Sequence, residues 1–208
     1  MTIIYDRIAI IGVGLIGASI ALAARRAGLA ASVAGCEIDP DKAGEIEKLG
    51  LVDHVTTDSV AAVQDADLVV MAVPVGALGP LAAQIVPAMK PGAVLTDTGS
   101  TKRSVLRDVD PHISGDIHWI PSHPLAGTEH SGPAAGFAEL FDGRYWLVLP
   151  REVPEDKVVR FESFVTGMGS VSERMDADYH DKVLALTSHL PHLIAYTIVG
   201  TAVDLESQ

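Results

Sequence analysis

One short segment restricts this chain more than any other. The apolar run Arg7 to Val13 passes directly into an alanine- and leucine-rich stretch, Leu15 to Ala27, with Gly12, Gly14 and Gly17 spaced as GxGxxG across the junction. A run of strand length, a tight turn and a helix follow one another without an intervening loop, which commits the backbone to an α/β unit. In such a unit Gly12 permits the turn, Gly14 lets backbone approach a bulky anionic group, and Gly17 lets helix and strand pack closely. The free N–H groups and dipole at the helix start, around Leu15 and Ile16, then favour a diphosphate.

The alternation continues along the chain. Ser32 to Cys36 forms a second short run, followed by an acid and by Pro40, which suits the first turn of a helix reaching Leu49. Asp67 to Val73 (DLVVMAV) is continuously apolar and is closed by Pro74, as expected of a strand covered on both faces. Val94 to Thr96 leads into the polar turn DTGSTK and a helix from Thr101 to Asp108; Ile117 to Ile120 leads into PSHPLAGTEHSGP. Tyr145 to Leu149 and Ser170 to Ser172, with a helix from Pro154 to Thr166 between them, are expected to complete the sheet. From Asp176 onward the pattern is helical only, with Tyr179, Val183, Leu186 and Leu190 on one face. The expected architecture is a Rossmann-type dinucleotide-binding domain over residues 1–173, followed by the start of an all-α domain over residues 174–208. A stretch of ~30 residues cannot build its own core, so the helical part is expected to be completed by further chain or by a partner.

Composition narrows the partners. With 48% hydrophobic and 20% charged residues the chain belongs with folded globular proteins. Its net charge of -12 disfavours nucleic acid and anionic membrane surfaces, and an anionic substrate would require a local basic pocket. The single cysteine, Cys36, excludes an internal disulfide framework; it lies in a buried strand and suits a reducing cytoplasm. The opening MTIIYDRIAIIG lacks the features of a secretory signal. Arg25 and Arg26 interrupt one apolar helix, and Pro191 and His192 interrupt the other, so no membrane span of ~20 residues is expected.

Several side chains carry candidate chemistry. Glu37 stands roughly 20 positions beyond Gly17, where an acid accepts from the adenosine ribose hydroxyls and favours NAD over NADP. Asp39, before Pro40, is the competing acid but suits a helix cap better. Val73, Pro74 and Val75 close the central strand where ligands bind in open α/β sheets; the alternative is simple strand termination. His123, Glu129 and His130 lie in the loop SHPLAGTEHSGP, and Ser188, His189 and His192 lie in SHLPH. A neutral imidazole with a pKa near ~6.5 can accept a hydroxyl proton as hydride leaves carbon, and His123 is the best placed. A metal cluster of His123, His189 and His192 is the weaker reading, since no cysteine or HExxH pattern accompanies it. Trp119 and Trp146 are assigned to the core.

The motifs GVGLIGAS, CEIDP, VVMAVPV, DTGSTK, SHPLAGTEHSGP and LTSHLPH, in this order, resemble the prephenate and arogenate dehydrogenases, including the cyclohexadienyl dehydrogenases of tyrosine biosynthesis. The resemblance runs from about Arg7 to Ala202, and the HPLAGTE loop together with the SHLPH helix is specific to that family. It implies NAD-dependent oxidation and decarboxylation of prephenate to 4-hydroxyphenylpyruvate, or of arogenate to tyrosine. It further implies that His123 binds the ring hydroxyl and assists its deprotonation, and that Ser100 holds the same hydroxyl and orients His123. Glu129 matches an acid ordering the site entrance; Ser188, His189 and His192 match substrate-side residues. His130 matches no functional position and is read as a solvated loop residue. The family's second domain forms a homodimer and supplies an arginine that clamps a substrate carboxylate, which is not found among these residues. A 3-hydroxy acid dehydrogenase or imine reductase, and a nucleotide-binding module without turnover, are the alternatives.

Overall fold

The computed structural model describes the backbone of residues 2–206 and the side chains of residues 2–191 and 193–201. Strand β1 (Tyr5–Ile11) turns through the glycines into α1 (Leu15–Ala27), then β2 (Ala30–Cys36), α2 (Pro40–Leu49), β3 (His54–Thr56), α3 (Ser59–Val63) and β4 (Leu68–Met71). The chain continues through α4 (Leu78–Ile85), β5 (Val94–Asp97), α5 (Lys102–Val109) and β6 (His118–Ile120). The first six strands form one parallel sheet in the order β3-β2-β1-β4-β5-β6.

Local chemistry explains the boundaries. Helix α1 ends at Gly28, whose φ of 63° is left-handed and whose N–H closes the helix on Ala24 and Arg25. Asp39 caps α2 by accepting from the Asp41 N–H, with Pro40 in the first turn, so the capping assignment is correct. Alternate strand residues face opposite sides of the sheet. Ile8, Ile10, Leu68 and Val70 join α1 and a later helix, Glu155–Gly167, in one core cluster; Ala9, Ile11, Val69 and Met71 join α4 and α5 in the other. Burial on both faces is what the uninterrupted apolar run of β4 required.

Strands expected to extend the main sheet form a second one instead. Pro121 ends β6, and β7 (Ser122–Pro124), β8 (Tyr145–Val148) and β9 (Val171–Arg174) make a three-stranded sheet in that order, with α6 (Glu155–Gly167) between β8 and β9. β7 pairs antiparallel with β8 and crosses beyond β5: the Ser122 N–H donates to Asp97 Oδ1 at 3.1 Å, and the Ser122 and Thr96 hydroxyls are 2.9 Å apart. Both tryptophans are buried, Trp119 donating to Asp110 and Trp146 to the Ser122 hydroxyl.

Beyond β9, α7 (Ala177–Leu184) begins at an Asp176 cap and packs on α5, burying His180 and Leu184. It runs through a π turn, Ala185–His189, into α8 (Leu190–Glu206). The helix Ala177–Thr201 is continuous over 25 residues, and its most apolar 18-residue stretch has a mean hydropathy of 1.4, long and apolar enough by those two measures to cross a membrane. This corrects the expectation of an interruption at Pro191. The wider register of the π turn just before the proline accommodates its missing N–H, so the helix is not broken. From Leu186 onward the face is open, with Leu186 69% and Tyr196 77% exposed.

The glycine turn separates packing from binding. A Cβ on Gly17 would collide with the Gly12 carbonyl oxygen, whereas one on Gly14 would meet nothing within 4 Å. Gly17→Ala should therefore cost on the order of 2–4 kcal/mol of stability through forced displacement of the turn, and Gly14→Ala less than about 1 kcal/mol. Urea titration of the two variants checks the contrast; equal losses would contradict it.

Candidate active site

The sheet order reverses between β1 and β4, which opens a crevice at the carboxyl ends of the strands. On one wall Gly12, with φ 90°, donates its N–H to the Cys36 carbonyl at 2.8 Å and lies against Ala72 and Val73. The α1 N-terminus carries no side-chain cap and no acid in its first turn. Its N–H groups near Leu15 and Ile16, the open space at Gly14 and the helix dipole together fit a diphosphate. Half-buried Glu37 directly follows the adjacent strand β2, its carboxylate accepting, among the described residues, only from the Asp39 N–H at 3.3 Å. Val73 and exposed Pro74 close the crevice after β4. The burial of Cys36 beside Glu37 pushes its thiol up to about 11, so it is an inert packing residue.

The other wall is made at the end of β5. Asp97 and Lys102, both without solvent exposure, form an ion pair at 2.5 Å; Lys102 Nζ also donates to the Ser122 carbonyl at 2.5 Å. Asp97 further accepts from the Gly99 and Ser122 N–H groups. Burial pushes the Lys102 ammonium down, against the opposing pull of Asp97. The next residue along β7 is His123, 9% exposed. Its Nδ1 stands 3.0 Å from His180 Nε2, and His180 Nδ1 stands 2.7 Å from Asp181 Oδ1. Asp181 in turn accepts from the Lys102 N–H at 2.7 Å and the Arg103 N–H at 2.9 Å. A residue of α7 thus caps α5, whose own N-cap residue, Thr101, makes no capping bond to a backbone N–H, its hydroxyl lying 2.7 Å from that of Ser104 instead.

Burial, reinforced by Lys102, His180 and His189, lowers the His123 pKa to about 3, so the imidazole is neutral at physiological pH. His180 is also lowered by burial, with its Asp181 hydrogen bond opposing. For Asp181, burial pushes upward, but the two backbone donors and His180 prevail and hold the carboxyl below its usual range.

The remaining candidates are less closely gathered. Ser100 lies exposed on the β5–α5 turn and makes no hydrogen bond to His123 among the described residues; the side chain hydrogen-bonded to the imidazole is that of His180. Glu129 is exposed and stands 3.5 Å from His130, with no hydrogen bond to His123 among the described residues. Ser188 and His189 sit on the π turn, with His189 close enough to act electrostatically on His123. The side chain of His192 lies outside the described residues. Among the described residues no group of three potential metal ligands comes together. A cavity of about 620 Å³ lined by Leu106, Trp119, Leu149 and Arg151 contains none of the candidate side chains. Asp97, Lys102, His180 and Asp181 were not singled out from sequence; the only local hint is a histidine followed by an acid in DYHDK.

A switch-point crevice with an uncapped glycine turn on one wall and a buried neutral imidazole on the other defines a dinucleotide-binding enzyme of the Rossmann class. Sequence profiles are more specific: the nucleotide-binding domain of prephenate dehydrogenase matches residues 20–174, and its dimerization domain matches residues 176–208. The chain belongs to the prephenate dehydrogenase family. It is 40% identical over 206 residues to the cyclohexadienyl dehydrogenase of Zymomonas mobilis, covering 99% of this chain and 70% of that protein. It is 34% identical over 201 residues to the prephenate dehydrogenase of Lactococcus lactis, where it covers 95% of this chain but spans only 54% of the relative. The crystal structure of prephenate dehydrogenase from A. aeolicus in complex with hydroxyphenyl propionate and NAD+ superposes with a TM-score of 0.87 at 29% identity, covering 96% of this chain and 70% of that one.

The depressed His123 pKa has a measurable consequence for stability. Between its unfolded value near 6.5 and its folded value of about 3, the unfolded chain binds the proton and the folded chain does not, so stability falls as pH falls through this window. Lowering the pH from 7 to 5 should cost about 2 kcal/mol through this one group. Denaturant titrations at both pH values should show a correspondingly smaller drop in His123→Gln; an unchanged drop would show that His123 protonates freely in the folded protein.

Proposed function

We propose that this chain carries out NAD-dependent oxidative decarboxylation of prephenate to 4-hydroxyphenylpyruvate, of arogenate to tyrosine, or of both. The observation that carries this is the buried, neutral His123 standing across the strand-end crevice from an anion-ready glycine turn. The names of the two relatives and the aromatic ligand of the A. aeolicus enzyme point to the same substrates.

Gly12, Gly14, Leu15, Ile16 and Gly17 would hold the diphosphate, Glu37 the ribose hydroxyls, and Val73 and Pro74 the rim of the crevice. NAD, when bound, supplies the hydride acceptor. His123 receives the hydroxyl proton as that oxygen becomes a carbonyl. Loss of CO2 would then leave the aromatic phenolate, which takes the proton back from His123 to give the phenol. Burial keeps the imidazole unprotonated and ready, and excludes water that would compete for it. Ser100 is assigned to the substrate hydroxyl, and Glu129, Ser188, His189 and His192 to the substrate side, on the strength of their motifs.

The domain division at 173/174 is supported by the two profile matches, which change over within two residues of it, one ending at 174 and the other beginning at 176. The open apolar face from Leu186 onward is assigned to a homodimer interface rather than to a bilayer, supported by the dimerization profile over the same residues. A cytoplasmic setting is supported by the buried, unpaired Cys36. The partner set is a small-molecule substrate and a second copy of the chain, without nucleic acid or membrane.

NADH formation with prephenate and with arogenate separately, on the parent and on His123→Asn, tests the assignment. The variant should retain NAD affinity by titration and lose at least ~10²-fold in turnover. Undiminished turnover would remove His123 from the chemistry, and NAD binding with inertness toward both compounds would overturn the substrate assignment.

A further inference from the structure

His123 can serve as a base only through a nitrogen that carries a lone pair, and in a neutral imidazole only one nitrogen does. The side chains behind it determine which. Asp181 accepts from two backbone N–H groups at the positive end of α5, so it is held as a carboxylate and can only accept. His180 Nδ1, 2.7 Å from Asp181 Oδ1, must therefore donate. His180 has no solvent exposure, and the Lys102 ammonium is close enough to oppose a second positive charge on it. It therefore stays neutral, and its Nε2 presents a lone pair. The partner of that lone pair, 3.0 Å away, is His123 Nδ1, which must donate.

We propose that His180 and Asp181 are positioning residues that fix His123 as the Nδ1–H tautomer and leave Nε2 as the proton-accepting atom. The groups facing the two rings are Lys102 of α5, Asp97 at the end of β5, Asp181 of α7 and His189 of the π turn. Among the described residues only Asp181 is hydrogen-bonded to either ring, apart from the rings themselves. In the opposite arrangement His180 would donate from Nε2, Asp181 would face an unprotonated Nδ1, and two buried acceptors would meet without a proton between them, which is a costly pairing. When the hydroxyl proton arrives at Nε2, the imidazolium formed keeps its Nδ1–H on His180, and Asp181 stabilises the charge through His180. The tautomer follows from the geometry alone; what the base acts on rests on the function proposed above.

Long-range proton–nitrogen correlation spectra of the chain labelled with 15N-histidine, at pH 7, read each tautomer directly, with resonances assigned from His123→Gln and His180→Gln. Both His123 and His180 should show a protonated Nδ1 and an unprotonated Nε2. An Nε2–H form of His123, or an averaged mixture, would overturn the proposal. In His180→Leu the His123 signals should average between tautomers, and kcat should fall about 10²-fold while KM for NAD stays unchanged. His180→Gln, whose amide oxygen can accept from Nδ1–H, should restore the tautomer and bring kcat within about 10-fold of the parent. A leucine variant that keeps both tautomer and kcat would sink the positioning role. The expected tautomers in a chain that turns over neither prephenate nor arogenate would uphold this inference and overturn the substrate assignment instead.

Discussion

A lysine with no exposure to solvent holds the two halves of the site together. Lys102 begins α5, pairs with Asp97 at the end of β5 and donates to the Ser122 carbonyl, while Asp97 accepts from the Ser122 N–H. Both backbone groups of the residue before His123 are thereby attached to one buried ion pair. Such a pair adds little net stability relative to well-packed apolar residues, but removing one partner strands a charge, at a cost of about 3–5 kcal/mol. Its contribution here is geometric. It fixes where β7 leaves the main sheet and therefore where the imidazole stands. Gly99 belongs to the same arrangement, since a Cβ there would come within 2.8 Å of Asp97 Oδ2.

The nucleotide half was legible in the sequence because its determinants are local. Gly12, Gly14 and Gly17 lie within one turn, and Glu37 and Asp39 lie at the next strand end, so spacing alone separates the acid at the strand end from the one that caps α2. The succession of β1, α1, β2, α2, β4, β5, α5 and β6 along the chain followed from the same local alternation, though short β3, α3, α4 and β7 left too weak a periodic signal to be named, and the order of strands across the sheet came from the fold. The catalytic half was only partly legible. His123 stood out by residue type and by family motif, but its partner His180 is 57 positions away and the contacts between Asp181 and α5 span 78 and 79 positions. His180, Asp181 and Lys182 fall between Tyr179 and Val183, off the apolar face that the helical spacing defines, so that spacing does not single them out. Nothing near Lys102 distinguishes it from the solvated lysine that DTGSTK would ordinarily contain. Ser100 illustrates the converse: it sits in the right loop, but the side chain hydrogen-bonded to His123 is that of His180, a residue only the tertiary fold brings near.

Placing α7 against α5 has a consequence for the helical region. Asp181 satisfies two orphan N–H groups of α5 and simultaneously holds His180, so the first turns of the helical region are part of the nucleotide domain's packing, although their sequence pattern assigns them to the next domain. The change of character falls later, after Leu184, where buried residues give way to an open apolar face. One continuous helix therefore carries the imidazole's hydrogen-bond partner at its start and the surface awaiting cover along the rest. A surface of that size and composition gains stability only when buried. Helical backbone runs from His180 through the π turn to that face, so the element that holds His123's hydrogen-bond partner against α5 also presents the apolar surface.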